Sequence, residues 1–181
     1  GISGITAREG LAMLAPNASS EQIDLITHHY RARYRSGAGL QSEPLFAGAL
    51  AALDRLQSDP ENILAVATGK SYGGATTLLE RHGLIDRFLS VETPDHNRGK
   101  PDPQMIETAM AKAGIDREST VMIGDTVHDM RMARSAKVGA IGVAWGYHER
   151  EELVEAGADI VLDTFEQLDE AVLRLTGEND A

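Results

Sequence analysis

Apolar positions change their period near residue 60. Before that point they recur at helical spacing. Ala7 to Ala15 carries Leu11 and Leu14, and EQIDLITHHYRARY (21–34) brings Ile23, Ile26, Tyr30 and Tyr34 close to one helical face. Ser19 followed by Gln22 is a capping-box start for that second helix. RSGAGLQSEPLF (35–46) reads as a linker. Residues 47–57 predict a short helix with Leu50, Leu53 and Leu56 at a spacing of three. After residue 60 the apolar runs become continuous: ILAVAT (63–68), FLSVET (88–93), TVMIGD (120–125), AIGVAW (140–145) and DIVLD (159–163). Helical patterns lie between most of them, near 71–82, 102–113, 128–137 and 149–156. The 102–113 helix is punctuated by Asp102 as cap, Pro103 at its first position and Gly114 at its end. Near-continuous apolar strands alternating with helices predict a parallel sheet covered on both faces, hence an α/β, Rossmann-like fold.

Composition narrows the function. With 42% hydrophobic but only 4% aromatic residues, Leu, Ile, Val, Ala and Met must fill the core. A formal charge of −11 argues against nucleic acid as a partner, since that surface must be basic. An anion would need a local positive site. The chain has no cysteine, so disulfides and thiolate metal sites are excluded. No apolar stretch is long enough to span a membrane and no signal peptide is visible, so the cytoplasm is the expected compartment.

Ligands of open parallel sheets bind beyond the carboxyl ends of the strands. ILAVAT ends at Thr68, followed by Gly69 and Lys70. TVMIGD ends at Asp125, with Asp129 four residues on. Between them RGKPDP carries Lys100 in a Gly/Pro-rich loop. This set suits phosphoryl chemistry. The Thr68 hydroxyl and backbone N–H groups near Gly69 are donors for a phosphate. Lys100 is the positive charge, and Asp125 with Asp129 are oxygen ligands for Mg²⁺. Each residue also has an ordinary reading. Asp125 alone is better read as a cap for the helix near 128, Lys100 as a solvated loop lysine, Lys70 as an exposed helix-start residue, and Thr68 as a β-branched strand residue. His96 and His128 read as loop histidines, and Trp145 as packing. His28, His29, Arg31 and Arg33 read as a solvated helix face.

Taken in order, ATGK (67–70), GKPDP (99–103) and GDTVHD (124–129) resemble motifs two, three and four of the haloacid dehalogenase-like hydrolases. AWGYHEREELVEAGADIVLDTFEQL (144–168) resembles the tail of their phosphoglycolate phosphatase-like branch. The resemblance covers nearly the whole chain. It implies a helical cap over residues 1–42 and an α/β core over 43–181. The acting groups it implies are Thr68, Lys100 and Asp129. Thr68, Gly69 and Lys100 would hold the substrate phosphoryl group, and Asp125 and Asp129 the Mg²⁺, Asp129 either through water or as an orienter. The implied activity is hydrolysis of a small-molecule phosphomonoester through an aspartyl-phosphate, the partner being a small phosphorylated metabolite. A sugar phosphomutase is the alternative within the fold, and a non-catalytic phosphate- or partner-binding protein the alternative outside it. Dehalogenation does not call for the metal-binding pair.

The first motif of that family, Asp-x-Asp on the first strand, has no counterpart here. Asp24 and Asp54 fall in helical patterns, and Asp95 follows a strand without a second Asp in place. The nucleophile is therefore expected upstream of Gly1, and residues 1–181 alone are expected to be inactive, unstable or prone to aggregate. The strand bearing it would run between ILAVAT and TVMIGD. Either a strand-wide slot separates Val66 from Ile123, the favoured expectation, or the two runs pair directly and the protein is a binder.

Overall fold

The computed structural model describes residues 7–35 and 44–177. Most of the GISGITAR opening, most of the linker, the Tyr34 side chain and nearly all of the GENDA tail fall outside the described residues.

Helices α1 (Ala7–Leu14) and α2 (Ser20–Arg35) pack on each other, and α2 also meets α4 (Tyr72–Arg81). Ser19 starts α2 as its sequence requires. Its hydroxyl accepts from Gln22 N at 3.3 Å, and its own N–H donates to Gln22 Oε1 at 2.8 Å. The apolar face differs from the expected one. Ile23 and Thr27 are buried, whereas Ile26 is 42% and Tyr30 49% exposed. A helix with few neighbours buries one narrow stripe, and residues four apart share it. Thr27 belongs to that stripe because its hydroxyl donates to Ile23 O at 2.7 Å. The same rule corrects α3 (Ala49–Leu56). Ala52 and Leu56, four apart, are buried while Leu50 is exposed.

The five strands lie at the expected runs but are shorter: β1 (Ala65–Ala67), β2 (Ser90–Glu92), β3 (Val121–Gly124), β4 (Gly139–Val143) and β5 (Ile160–Leu162). Helices α5 (Gln104–Ala113), α6 (Val127–Ala136) and α7 (Arg150–Glu155) follow the pattern. In α5, Pro103 sits at the cap position, and Asp102 Oδ1 accepts from Gln104 N at 3.0 Å. Gly114 closes that helix at φ 71°, a left-handed conformation that costs glycine little. Helix α8 (Leu168–Thr176), unread in the sequence, buries Leu168 and Ala171.

All pairings are parallel, in two sheets: β1–β2, and β3–β4–β5. Val66 faces Val91, and Ile123 faces Ile141, which faces Ile160. Direct pairing of β1 with β3 is absent among the described residues. Yet both sheets share the same two apolar layers. Leu64 and Ile123 pack with Ala52, Leu56, Ile141 and Leu162 on one face. Ala67 and Met122 pack with Met105, Met130 and Leu153 on the other. The sheets are thus one layer interrupted between β1 and β3. Among the described residues no helix is long and apolar enough to cross a membrane.

Candidate functional site

The interruption is bridged at one end by a single ammonium. Lys100 Nζ donates to Ala67 O, the last residue of β1, at 3.0 Å and to Asp129 Oδ1 at 2.5 Å. Both side chains of that ion pair are 5% exposed. Thr68 continues β1 past Ala67, its N–H donating to Glu92 O at 3.0 Å. Its Oγ1 accepts from Lys70 N at 3.2 Å, which leaves the hydroxyl hydrogen to point elsewhere. Ser71 then caps α4. Thr68, Gly69, Lys100, Asp125 and Asp129 therefore gather at the carboxyl edges of the two sheets. Lys70 is half-buried there rather than exposed.

The two aspartates differ in what is left of them. Thr126, not Asp125, caps α6: its hydroxyl accepts from Asp129 N at 3.2 Å, and its own N–H donates to Asp129 Oδ2 at 3.1 Å. The Thr126 hydroxyl lies 2.7 Å from the same Oδ2. With Lys100 on Oδ1, both Asp129 oxygens are engaged and the residue is 3% exposed. Asp129 is thus built as an anchor for Lys100 and for the helix start. Asp125, relieved of capping, is half-buried and accepts from Tyr147 N at 3.0 Å through Oδ2. Its backbone oxygen accepts from His148 N at 3.1 Å. The loop after β4 wraps so closely round it that a Cβ at Gly146 would collide with the Asp125 carboxylate. Among the described residues Asp125 has no cationic partner, and its Oδ1 has no donor.

Around this edge His128 and His148 meet edge to face at 6.4 Å between ring centres. Burial, then the charges of Arg131 and His148, holds the His128 imidazole below its ordinary value and so favours the neutral ring. His96 instead stacks edge-on with Tyr72 at 5.2 Å. Trp145 packs on Phe165 at 4.6 Å, as a core residue. Two participants escaped the sequence reading. The Thr126–Asp129 capping box was legible as Thr-x-x-Asp. The carbonyl of Ala67 was not, because a backbone acceptor has no sequence signal.

Residues 2–143 match the haloacid dehalogenase-like hydrolase family. The chain belongs to that family. Among similar proteins, "Probable phosphatase IndB" of Dickeya dadantii is 36% identical over 160 residues, spanning 86% of this chain and 68% of that protein. A phosphoglycolate phosphatase of Agrobacterium fabrum is 32% identical over 93% of this chain and 71% of its own length. A crystal structure of a predicted phosphatase from Clostridium acetobutylicum, 25% identical, superposes with a TM-score of 0.83 over 96% of this chain and 80% of that one. The haloacid dehalogenase-like fold and the phosphoglycolate phosphatase-like branch expected from the motifs are thereby established.

Proposed function

We propose that this haloacid dehalogenase-like protein is a Mg²⁺-dependent phosphatase acting on a small-molecule phosphomonoester through an aspartyl-phosphate. The observation that carries the reading is the Lys100 ammonium, held between Ala67 O and Asp129 at the edge where Thr68 and Asp125 also end. In this arrangement Thr68 donates its hydroxyl, and Gly69 its N–H, to the phosphoryl oxygens. Lys100 balances their charge while tied to the sheet.

The donor set also fits a hard cation. Asp125 presents an uncommitted carboxylate oxygen and an unbalanced charge beside a site meant for an anion, where a dianion alone would be repelled. Asp125 is the direct ligand in this reading. Asp129, saturated by Lys100 and Thr126, serves as an orienter or reaches the ion through water. Bound there, Mg²⁺ would supply neutralisation of charge on the transferring phosphoryl group.

The nucleophilic carboxylate belongs, in this reading, to a strand supplied from outside residues 1–181 and seated between β1 and β3. Its support is the pair of unladdered inner edges that share two apolar layers. Unpaired backbone groups at such edges are costly when buried, and a parallel strand would satisfy them. The carboxylate oxygen attacks phosphorus as the ester P–O bond breaks, and the leaving oxygen takes a proton from an acid/base partner carried on the same strand and departs as the alcohol. Water, returning a proton to that partner, then attacks the phosphorus of the acyl-phosphate and releases inorganic phosphate and the free carboxylate. Residues 1–42 are proposed as a helical cap closing over this edge to exclude water.

The test is hydrolysis of a phosphomonoester panel, phosphoglycolate included, by the natural protein with and without Mg²⁺. Turnover that needs Mg²⁺ and collapses in Lys100→Met and Asp125→Asn supports the reading. Turnover unchanged in Asp125→Asn, or Mg²⁺-independent turnover, overturns it.

A further inference from the structure

Glu92 ends β2 with 2% of its surface exposed, and a buried carboxylate is costly unless it is bonded. One oxygen accepts from Lys112 Nζ on α5 at 2.6 Å, the other from Asn97 Nδ2 at 3.1 Å. Burial works to raise the Glu92 carboxyl, but Lys112, then Ser90 and Asn97, hold it below the usual carboxylate range. Asn97 spends the rest of its amide locally. Nδ2 also donates to Thr93 O at 3.2 Å, and Oδ1 accepts from Thr108 Oγ1, again on α5, at 2.8 Å. The loop that leaves β2 is thus stapled to the strand end and to α5 at residue 97. On its far side Arg98 N donates to Gln104 Oε1 at 2.8 Å, and Asp102 N to Gly99 O at 3.1 Å.

Lys100 rises from the middle of this stapled segment. Lysine has a long stem with several rotamers, so the place of its ammonium depends on where the backbone launches it. A fixed launch point keeps Nζ within reach of Ala67 O and Asp129 together. We propose that Glu92 and Asn97 are positioning residues for Lys100: their buried carboxylate–amide staple holds the 97–100 loop so that the ammonium faces the phosphoryl site. This rests on the phosphatase reading above. A purely structural role would be served as well, or better, by an apolar contact of the same volume, since buried polar pairs are weak sources of net stability.

The experiment is a double-mutant cycle on inorganic phosphate binding in the natural protein with Mg²⁺, followed by NMR titration, which reads millimolar affinities. The proteins compared are wild type, Asn97→Ala, Lys100→Met and the double variant, each checked for folding by circular dichroism. Asn97→Ala should weaken phosphate about tenfold when Lys100 is present and under about twofold when it is Met, because coupled residues are non-additive. Glu92→Gln keeps an acceptor for Asn97 and should retain phosphate affinity within about threefold of wild type, whereas Glu92→Ala should follow Asn97→Ala. If Asn97→Ala folds poorly, the Glu92 pair carries the test alone. Equal losses from Asn97→Ala in both backgrounds, or Glu92→Gln and Glu92→Ala behaving alike, overturn the positioning role. Phosphate binding indifferent to Lys100→Met overturns the phosphatase reading and this inference with it. Intact loss at Lys100→Met without coupling to Asn97 overturns the inference only.

Discussion

In the three-stranded sheet β4 is laddered on both sides, with Ala140 and Ile141 fully buried and Val143 nearly so. In the two-stranded sheet β1 is laddered only to β2; Ala65 is exposed, and Val66 and Ala67 are half-buried. Strand β3, laddered only to β4, has the same half-buried character along its length. The apolar content of the runs is similar, so composition does not set the difference. Neighbours do. A parallel strand is buried both by the ladders at its edges and by the helices on its faces; β2, laddered only to β1, still buries Ser90 and Glu92 with α4 and α5 packed on it. Here the unfilled edges of β1 and β3 face the same interruption. The chemistry-bearing residues stand at its carboxyl end, and the described ion pairs that tie the halves together across it include the buried Lys100–Asp129 pair and an exposed one, in which Arg87 donates to Asp54 on α3 at 2.5 Å.

Breaking the buried tie should cost most. Lys100→Met leaves Asp129 buried with only Thr126 as partner, and the expected loss is about 3–5 kcal/mol, read from the denaturant midpoint. Next comes the contrast between strands. Ile141→Ala, at a fully buried site, should cost roughly 2–5 kcal/mol. Val66→Ala in half-buried β1 should cost distinctly less in the same assay. Equal costs would mean that β1 is as enclosed as β4. Removing the helix cap with Thr126→Ala should cost about 1–2 kcal/mol and loosen Asp129. The exposed tie is the smallest term: Asp54→Ala should change stability by about 0.2–1 kcal/mol, falling further with added salt.

Glu92 adds a pH signature to the two-stranded half. Its folded carboxyl lies below the unfolded value of 4.5, so its contribution is present above that value and is lost as pH falls through the folded one. Wild type should therefore lose stability in the acid window below about pH 4.5, and Glu92→Gln should show a shallower acid limb there. An unchanged limb would mean that Glu92 is not ionised against Lys112.

The sequence made the strands legible because continuous apolar runs bounded by Gly and Thr leave few other solutions. It made them too long, since periodicity cannot see where a ladder stops. Thr68, Lys100, Asp125 and Asp129 were singled out from motif order, and the resemblance already set Asp129 apart from Asp125. What the sequence could not show is which oxygen of each aspartate is already occupied. Asp129 is consumed by Lys100 and its own cap, and Asp125 is spared by Thr126. The Glu92–Asn97–Lys112 staple was invisible for a related reason: a glutamate at a strand end is commonplace until α5 is folded against it. Ile26 and Tyr30 were misplaced because an apolar stripe tells which face can be buried, not which one has a neighbour.

The most direct test of the central claim compares phosphomonoester hydrolysis by purified residues 1–181 with hydrolysis by the natural protein under identical Mg²⁺. The account predicts turnover by a natural protein that carries a further strand with an acidic nucleophile, and none by residues 1–181, which bring Lys100, Thr68 and Asp125 to the site but, among the described residues, no strand between β1 and β3. Turnover by residues 1–181 alone, at a rate matching the natural protein, would contradict it.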